Sequence, residues 1–291
     1  GEMDNKGVDA NLEYQTRIGN KVGLRLFGNL TYSKNKIVFR DEPAMQYAYQ
    51  KSEGTRYGEF YGYIAEGYFQ SEEEIKKSPR QMRELAPGDI KYKDLNDDGV
   101  IDANDQCYLG KSWFPSWSYG MGFNINYHNF DLALFFQGVS DVSIMANGGS
   151  IDTGNGDWGA SGVGIVPFTG MGLNPSNVIT KALDRWTADN PRADAWYPRM
   201  TANATTNDNN YVNSTHWLKD GSYLRLKQAS LGYTLENKKL MDKGIEYLYF
   251  YLSGQNLLTF SKFKLWDPEL GSNGAKYPLS RMVTLGMRVS F

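Results

Sequence analysis

Residues Asp94 to Asp105, DLNDDGVIDAND, gather acidic and amide side chains around a single glycine. With Asp94 as position 1, Asn96 falls at 3, Asp98 at 5, Gly99 at 6, Val100 at 7, Asp102 at 9 and Asp105 at 12. That is the order in which an EF-hand loop sets its oxygen ligands around the sharp turn at its glycine. Such oxygens, the carbonyl of Val100 among them, can wrap a hard cation, and Ca2+ tolerates an irregular shell. Ile101 is placed to anchor the loop to what lies beneath it. Two features depart from the pattern. Position 12 is Asp, whose short arm makes two-oxygen contact harder, and QCYLGKSWFPSW, with Gly110 and Pro115, supplies no long second helix. A metal-free reading stands beside the first, because Asp and Asn next to glycine fold into Asx-turns on their own backbone. Ca2+ held by Asp94, Asn96, Asp98, Val100, Asp102 and Asp105 is thus expected as a structural brace. Nothing nearby offers an open coordination position with an acid or base to use it.

Other chemistry is thinly supplied. Acidic and basic residues nearly cancel, 33 against 31, which removes the basic surface that grips nucleic acid. One cysteine, Cys107, excludes an internal disulfide and a cysteine-based metal site. The two histidines, His128 at a turn and His216 in a loop, have no ligand partners in view and are expected at the surface. No Ser–His–Asp set or carboxylate pair can be assembled, so no enzyme is expected. The chain holds no run of 18 apolar residues and no recognisable signal peptide, and it opens on what reads as mid-protein sequence.

The elements that must position the loop are strands. Twenty tyrosines, 31 glycines and 14% aromatic residues favour aromatic-rich strands joined by tight turns. RMVTLGMRVSF alternates Val283, Leu285, Met287, Val289 and Phe291 with Thr284, Gly286, Arg288 and Ser290 up to its last residue. YGMGFNINYH and GLRLFGNLTYS alternate similarly, and SYLRLKQASLGYTL and IEYLYFYLSGQNLLTF are further candidates. Seven long strands are expected near 8–18, 21–33, 117–128, 130–139, 222–235, 245–260 and 280–291. At roughly 10 to 14 residues they exceed the 5 to 6 usual in soluble sheets and match the 9 to 11 of a tilted membrane strand. Short connections alternate with long excursions at 34–116, 140–221 and 261–279, all falling on one side. Strand length and this alternation together predict an all-β fold, a transmembrane antiparallel β-barrel with long extracellular loops, and the resemblance described next implies the C-terminal portion of a large one. Within 34–116, residues 57–69 are expected to form a hairpin or a surface strand, and a short helix should begin at Ser71 and stop by Pro79.

The stretches NKGVDANLEY, PGDIKYKDLNDDGVIDANDQCYLG, WSYGMGFNINYHNFDLALFFQG, DRWTADNPRADAWYPR, DGSYLRLKQASLGYTL, YLSGQNLLTFSKFKLWDPE and LGMRVSF resemble, in this order, the C-terminal part of SusC/RagA family TonB-linked outer-membrane proteins. The resemblance runs the length of the chain. It implies a fragment, about the last third of a 22-stranded barrel, without the plug or the TonB-contact segment. It implies outer-membrane import of a glycan or peptide nutrient, with membrane lipid around the wall, and TonB and a SusD-like surface lipoprotein as partners. The loops would be extracellular. The competing function is a soluble calcium-stabilised β-rich glycan-binding module.

Candidate contacts to a ligand are the loop aromatics Trp158, Trp186, Trp196, Tyr197 and Trp217, on whose faces sugars could stack. Against this, Trp186 and Trp196 fall inside a family motif and read more readily as anchors of a loop that needs its own small core. Arg225 and Lys227, near Asp220, read as a structural ion-pair network.

Overall fold

The computed structural model describes residues 1–19, 21–147, 179–201, 209–272, 274 and 277–291. Seven long strands form one antiparallel sheet in the order β1 (Glu2–Ile18), β2 (Val22–Phe39), β7 (Trp117–Tyr127), β8 (Phe130–Ser140), β11 (Tyr223–Leu235), β12 (Tyr247–Ser261) and β13 (Met282–Ser290). β1 starts at Glu2, six residues before the expected 8, because Glu2 to Gly7 continue the ladder against Ser33 to Phe39.

Alternation sets the two faces of the sheet. Leu24, Ile125, Leu132, Leu231, Leu252 and Leu285 stand in one row across six strands. The neighbouring row on the opposite face reads Arg17, Gly23, Asn126, Asp131, Gly232, Tyr251 and Gly286. On this polar face aromatic rings lie over glycines: a Cβ at Gly122 would meet the Phe27 ring at 2.5 Å, and one at Gly286 the Tyr251 ring at 2.2 Å. The apolar face is open towards β11, β12 and β13, where Leu285 is 80% exposed, and half-buried at Leu24, Ile125 and Leu132.

The sheet does not close. β1 pairs only with β2 and β13 only with β12, and seven strands fall short of the roughly eight that a small barrel needs. This corrects the expected fold class: the described residues build an open sheet with a separate body of small sheets, not a transmembrane barrel. The readings tied to that barrel are corrected with it, namely a barrel-wall role in TonB-dependent import and an outer-membrane location with extracellular loops. No helix among the described residues is long and apolar enough to cross a membrane, which says nothing about strands.

The body grows from the two long excursions, and both leave the same end of the sheet. Three two-stranded ladders form it: β3 (Glu59–Gly62) with β6 (Cys107–Ser112), β4 (Ala65–Tyr68) with β5 (Ile90–Tyr92), and β9 (Ser143–Met145) with β10 (Leu218–Asp220). Residues 57–69 therefore do not fold back on themselves as a hairpin. Each half finds a distant partner with which it can bury Phe60, Tyr63 and Tyr68. Helix α1 (Glu72–Lys77) follows Ser71, whose side chain accepts from the Glu74 amide, and three glutamates fill its first turn where they oppose the unpaired amides. A second short helix, α2 (Lys238–Met241), lies between β11 and β12.

The core of the body is aromatic, with Tyr63, Tyr68, Tyr92, Trp186, Tyr197, Tyr211 and Trp217 in one cluster with Ile90 and Ile101. Buried amides complete it. Asn210 accepts from the Ile90 amide and donates to Asp89, while Gln81 accepts from the Tyr92 amide and donates to the Ile90 carbonyl. Arg199 closes the cluster with an ion pair of 2.7 Å to the fully buried Asp89. These side chains satisfy backbone groups that have no strand partner.

Candidate functional site

The acidic loop is closed by its own side chains. The Oδ2 of Asp94 accepts from the Gly99 amide at 2.8 Å, Asn96 from Asp98 at 3.2 Å, Asp98 from Val100 at 2.9 Å and Asp102 from Asn104 at 2.7 Å. Asp105 is wholly buried and accepts from the amides of Leu95 (2.7 Å) and Asp102 (2.9 Å). Asp97 and Gly99 take positive φ, 59° and 81°, which tightens the turn. Ile101 enters the aromatic core. By type and order the residues fit a hard cation, and Asp94 Oδ1 is buried with no hydrogen-bond partner. Among the described residues, however, no three His, Cys, Asp or Glu side chains are grouped closely enough to hold a metal.

Two tyrosines tie this loop to the 3-10 turn at Ala48–Gln50. Tyr47 and Tyr49 stack with centroids 5.2 Å apart, the Tyr47 hydroxyl accepts from Asn96, and the Tyr49 hydroxyl donates to the Asn104 carbonyl at 2.8 Å. Burial, then the neighbouring Tyr47 and Asp105, pushes the Tyr49 phenol up to about 12.

Of the five aromatic candidates, three are core. Trp186, Tyr197 and Trp217 are buried, Trp196 is half-buried, and Trp158 lies outside the described residues. Trp217 packs on Tyr211 at 5.2 Å and donates to the Asn210 carbonyl at 2.7 Å. Trp186 thus lies in the core of the body, and Trp196 packs edge-on against Tyr197 and Trp217 while staying half-buried.

His216 is not a surface histidine. Its ring packs on Trp217 at 4.7 Å, with its Nε2 3.2 Å from the Trp196 carbonyl oxygen and 3.4 Å from the Tyr68 hydroxyl. Burial, followed by the charge of Lys219, holds its pKa down at about 3. Lys219 itself donates to the His216 carbonyl and lies 5.2 Å over the Trp196 ring.

Among the aromatic side chains that face solvent, Tyr57, Trp113 and Phe114, exposed by 57%, 37% and 46%, form a cluster on the body. Tyr57 stacks on Phe114 at 5.9 Å, and Trp113 meets Phe114 edge-on at 5.6 Å. Gly58 makes the seat. Its φ is 77°, and a Cβ there would lie 2.6 Å from both Phe114 Cδ2 and Trp113 Nε1. The Trp113 amide bonds the Gly58 carbonyl and the Phe114 amide bonds Ser112 Oγ, so the platform is fixed from below. In the sequence its signal is the WFP of Trp113 to Pro115, two adjacent aromatics stopped by a proline.

An open antiparallel sheet carrying an aromatic-cored body defines a β-rich class of protein. Comparison with known proteins narrows it. No family model matches the chain. "TonB-dependent receptor P3" of Formosa agariphila is 26% identical over 319 residues, spanning 100% of this chain and 29% of that protein. "TonB-dependent receptor P26" of the same organism is 30% identical over 241 residues, 77% of this chain and 22% of the relative. The RagAB peptide importer in its open-open state superposes with a TM-score of 0.68 at 22% identity, covering 99% of this chain and 29% of that one. That last likeness is one of fold. The chain shows family-level homology to the SusC/RagA TonB-dependent receptors and spans about three tenths of the length of the relatives it matches in full. The homology is to transport proteins, not to enzymes.

Proposed function

We propose that the chain is the C-terminal portion of a SusC/RagA-type receptor and serves as a non-enzymatic β-rich module that binds a glycan. The observation that carries this reading is the platform of Tyr57, Trp113 and Phe114, solvent-facing and held by Gly58. Pyranose rings present an apolar face to such rings while their hydroxyls stay wet, and rigid aromatics lose little entropy on contact. Ca2+ in loop 94–105 braces the body, supplying the charge that gathers Asp94, Asp98 and Asp102. A SusD-like lipoprotein shares the ligand, and TonB acts through other parts of the receptor. A peptide ligand is the second reading, favoured by the description of the fold neighbour as a peptide importer.

Titration with oligosaccharides, followed by tryptophan fluorescence, tests the glycan. Saturable binding that is lost in Trp113→Ala supports it. Saturation by oligopeptides alone transfers the site to the second reading, and no response to either defeats both. For the brace, 10 mM Ca2+ should stabilise the chain by about 1–3 kcal/mol, given the 10⁻⁴–10⁻³ M affinities of extracellular calcium modules. Asp94→Asn should abolish the gain, and an equal gain in that variant would remove Ca2+ from the loop.

A further inference from the structure

At the tight-turn end of the sheet, far along β1 and β2 from the body, the polar face carries a hollow of about 330 Å3. Its origin is simple. Arg17, Gly23 and Asn126 stand side by side in one row on β1, β2 and β7, and the middle one has no side chain. A Cβ placed on Gly23 would meet nothing nearer than Asn126, at 3.7 Å, so the floor is open. Arg25 borders the hollow one row further in, and Lys21 and His128 come from the two turns, which are joined by the bond from the His128 amide to the Lys21 carbonyl.

The charges here are unbalanced. Arg17, Lys21 and Arg25 line the hollow together with His128, and no carboxylate lines it. Arg25 is already held, its guanidinium paired with Glu13 at 2.7 and 3.1 Å and lying 5.0 Å over the Phe27 ring. Arg17 and Lys21 form no ion pair with any described residue. In the row of Gly23 the next acid is Asp131, beyond Asn126, and its carboxylate accepts from the Tyr249 hydroxyl at 3.0 Å.

We propose that this hollow is a binding site for a phosphate-class oxyanion, with Arg17 and Lys21 as its charged arms, Asn126 as a neutral donor and Gly23 as the space the anion fills. Two uncompensated cations beside a third, already oriented, exceed what a single carboxylate needs and match a dianion. The site is independent of the aromatic platform and of the acidic loop.

Isothermal titration of the whole chain with inorganic phosphate tests it. Saturable binding is expected, weakened roughly fivefold or more in Arg17→Gln and in Lys21→Gln, and largely kept in Arg17→Lys. Gly23→Val keeps every charge but fills the floor, and should abolish binding while the strand stands. Lys76→Gln, on the body, should leave the affinity unchanged. Absence of saturation overturns the proposal, as does equal binding in Gly23→Val, equal weakening by Lys76→Gln, or acetate binding as tightly as phosphate.

Discussion

Individual side chains decide more here than their sequence neighbourhoods suggest. His216 sits in a stretch, NSTHWLKD, that has every mark of an exposed loop, yet it packs on Trp217 and keeps its imidazole neutral. With the pKa at about 3 in the fold against 6.5 in the free side chain, the unfolded chain takes up the proton first. Stability present above about pH 6.5 should therefore fall as the pH is lowered towards 3. Between pH 7 and 4 the loss is about 2–3 kcal/mol, read by urea unfolding at each pH, and His216→Gln should flatten the profile. Arg225 makes a second case. It is 1% exposed and pairs with Asp267 at 2.5 Å, 42 positions away. Asp267→Ala leaves the buried guanidinium with only Glu269, at 3.9 Å, and should cost up to about 3–5 kcal/mol in denaturant unfolding, more than the double variant Arg225→Met with Asp267→Leu. Neither partnership was legible in the sequence. Both depend on which distant segment arrives beside the residue, and no local spacing encodes that. The Asx-turns of the acidic loop are local by contrast: Asp94, Asn96 and Asp98 each bind one amide within five positions, and only Asp105 reaches further, back ten to Leu95.

Strands were the most readable elements, because a period of two needs only the residues themselves. What that period could not show is how neighbouring strands interlock. On the polar face the rings of Phe27 and Tyr251 occupy the space left by Gly122 and Gly286 on adjacent strands. Gly122→Ala should cost about 1–3 kcal/mol, since a Cβ there meets not only the Phe27 ring but the Leu134 carbonyl oxygen at 2.6 Å, which cannot swing away. Thermal unfolding would check it, and an unchanged midpoint would mean that the rings are not locked. The short ladders of the body were less readable. β3 and β4 pair with β6 and β5, not with each other, and Asn210 and Gln81 stand in for missing strand partners. Asn210→Leu should cost about 2 kcal/mol, because the Ile90 amide would lose its side-chain partner inside the core and Asp89 one of its donors.

For the molecule as a whole, strand number and order carried less than strand length seemed to promise. Length and alternation pointed to a barrel, but closure depends on the first strand meeting the last, and here both edges stay open. A row of five leucines and Ile125 crosses six strands on one face, half-buried at Leu24, Ile125 and Leu132 and open from Leu231 to Leu285, which is 80% exposed. In dilute aqueous buffer the chain should self-associate, through this face and through unpaired edge groups of β1 and β13. Light scattering after size exclusion would show it, and a clean monomer at tens of micromolar would refute it.

The tight turns at one end of the sheet also bear on the order of events in folding. β1 with β2 and β7 with β8 can zip locally across a few residues, and β11 with β12 across a modest connection. Joining these hairpins means closing residues 40–116 and 141–222, and loop-closure entropy has to be met before any cross-hairpin bond repays it. The body lowers that barrier. Once its aromatic cluster condenses, the ends of both excursions are already near one another, and the hairpins need only dock. Refolding should then show a fast phase of hairpin formation and a slower one limited by the body. Variants that loosen the Tyr92–Trp217 core would slow the sheet they never touch.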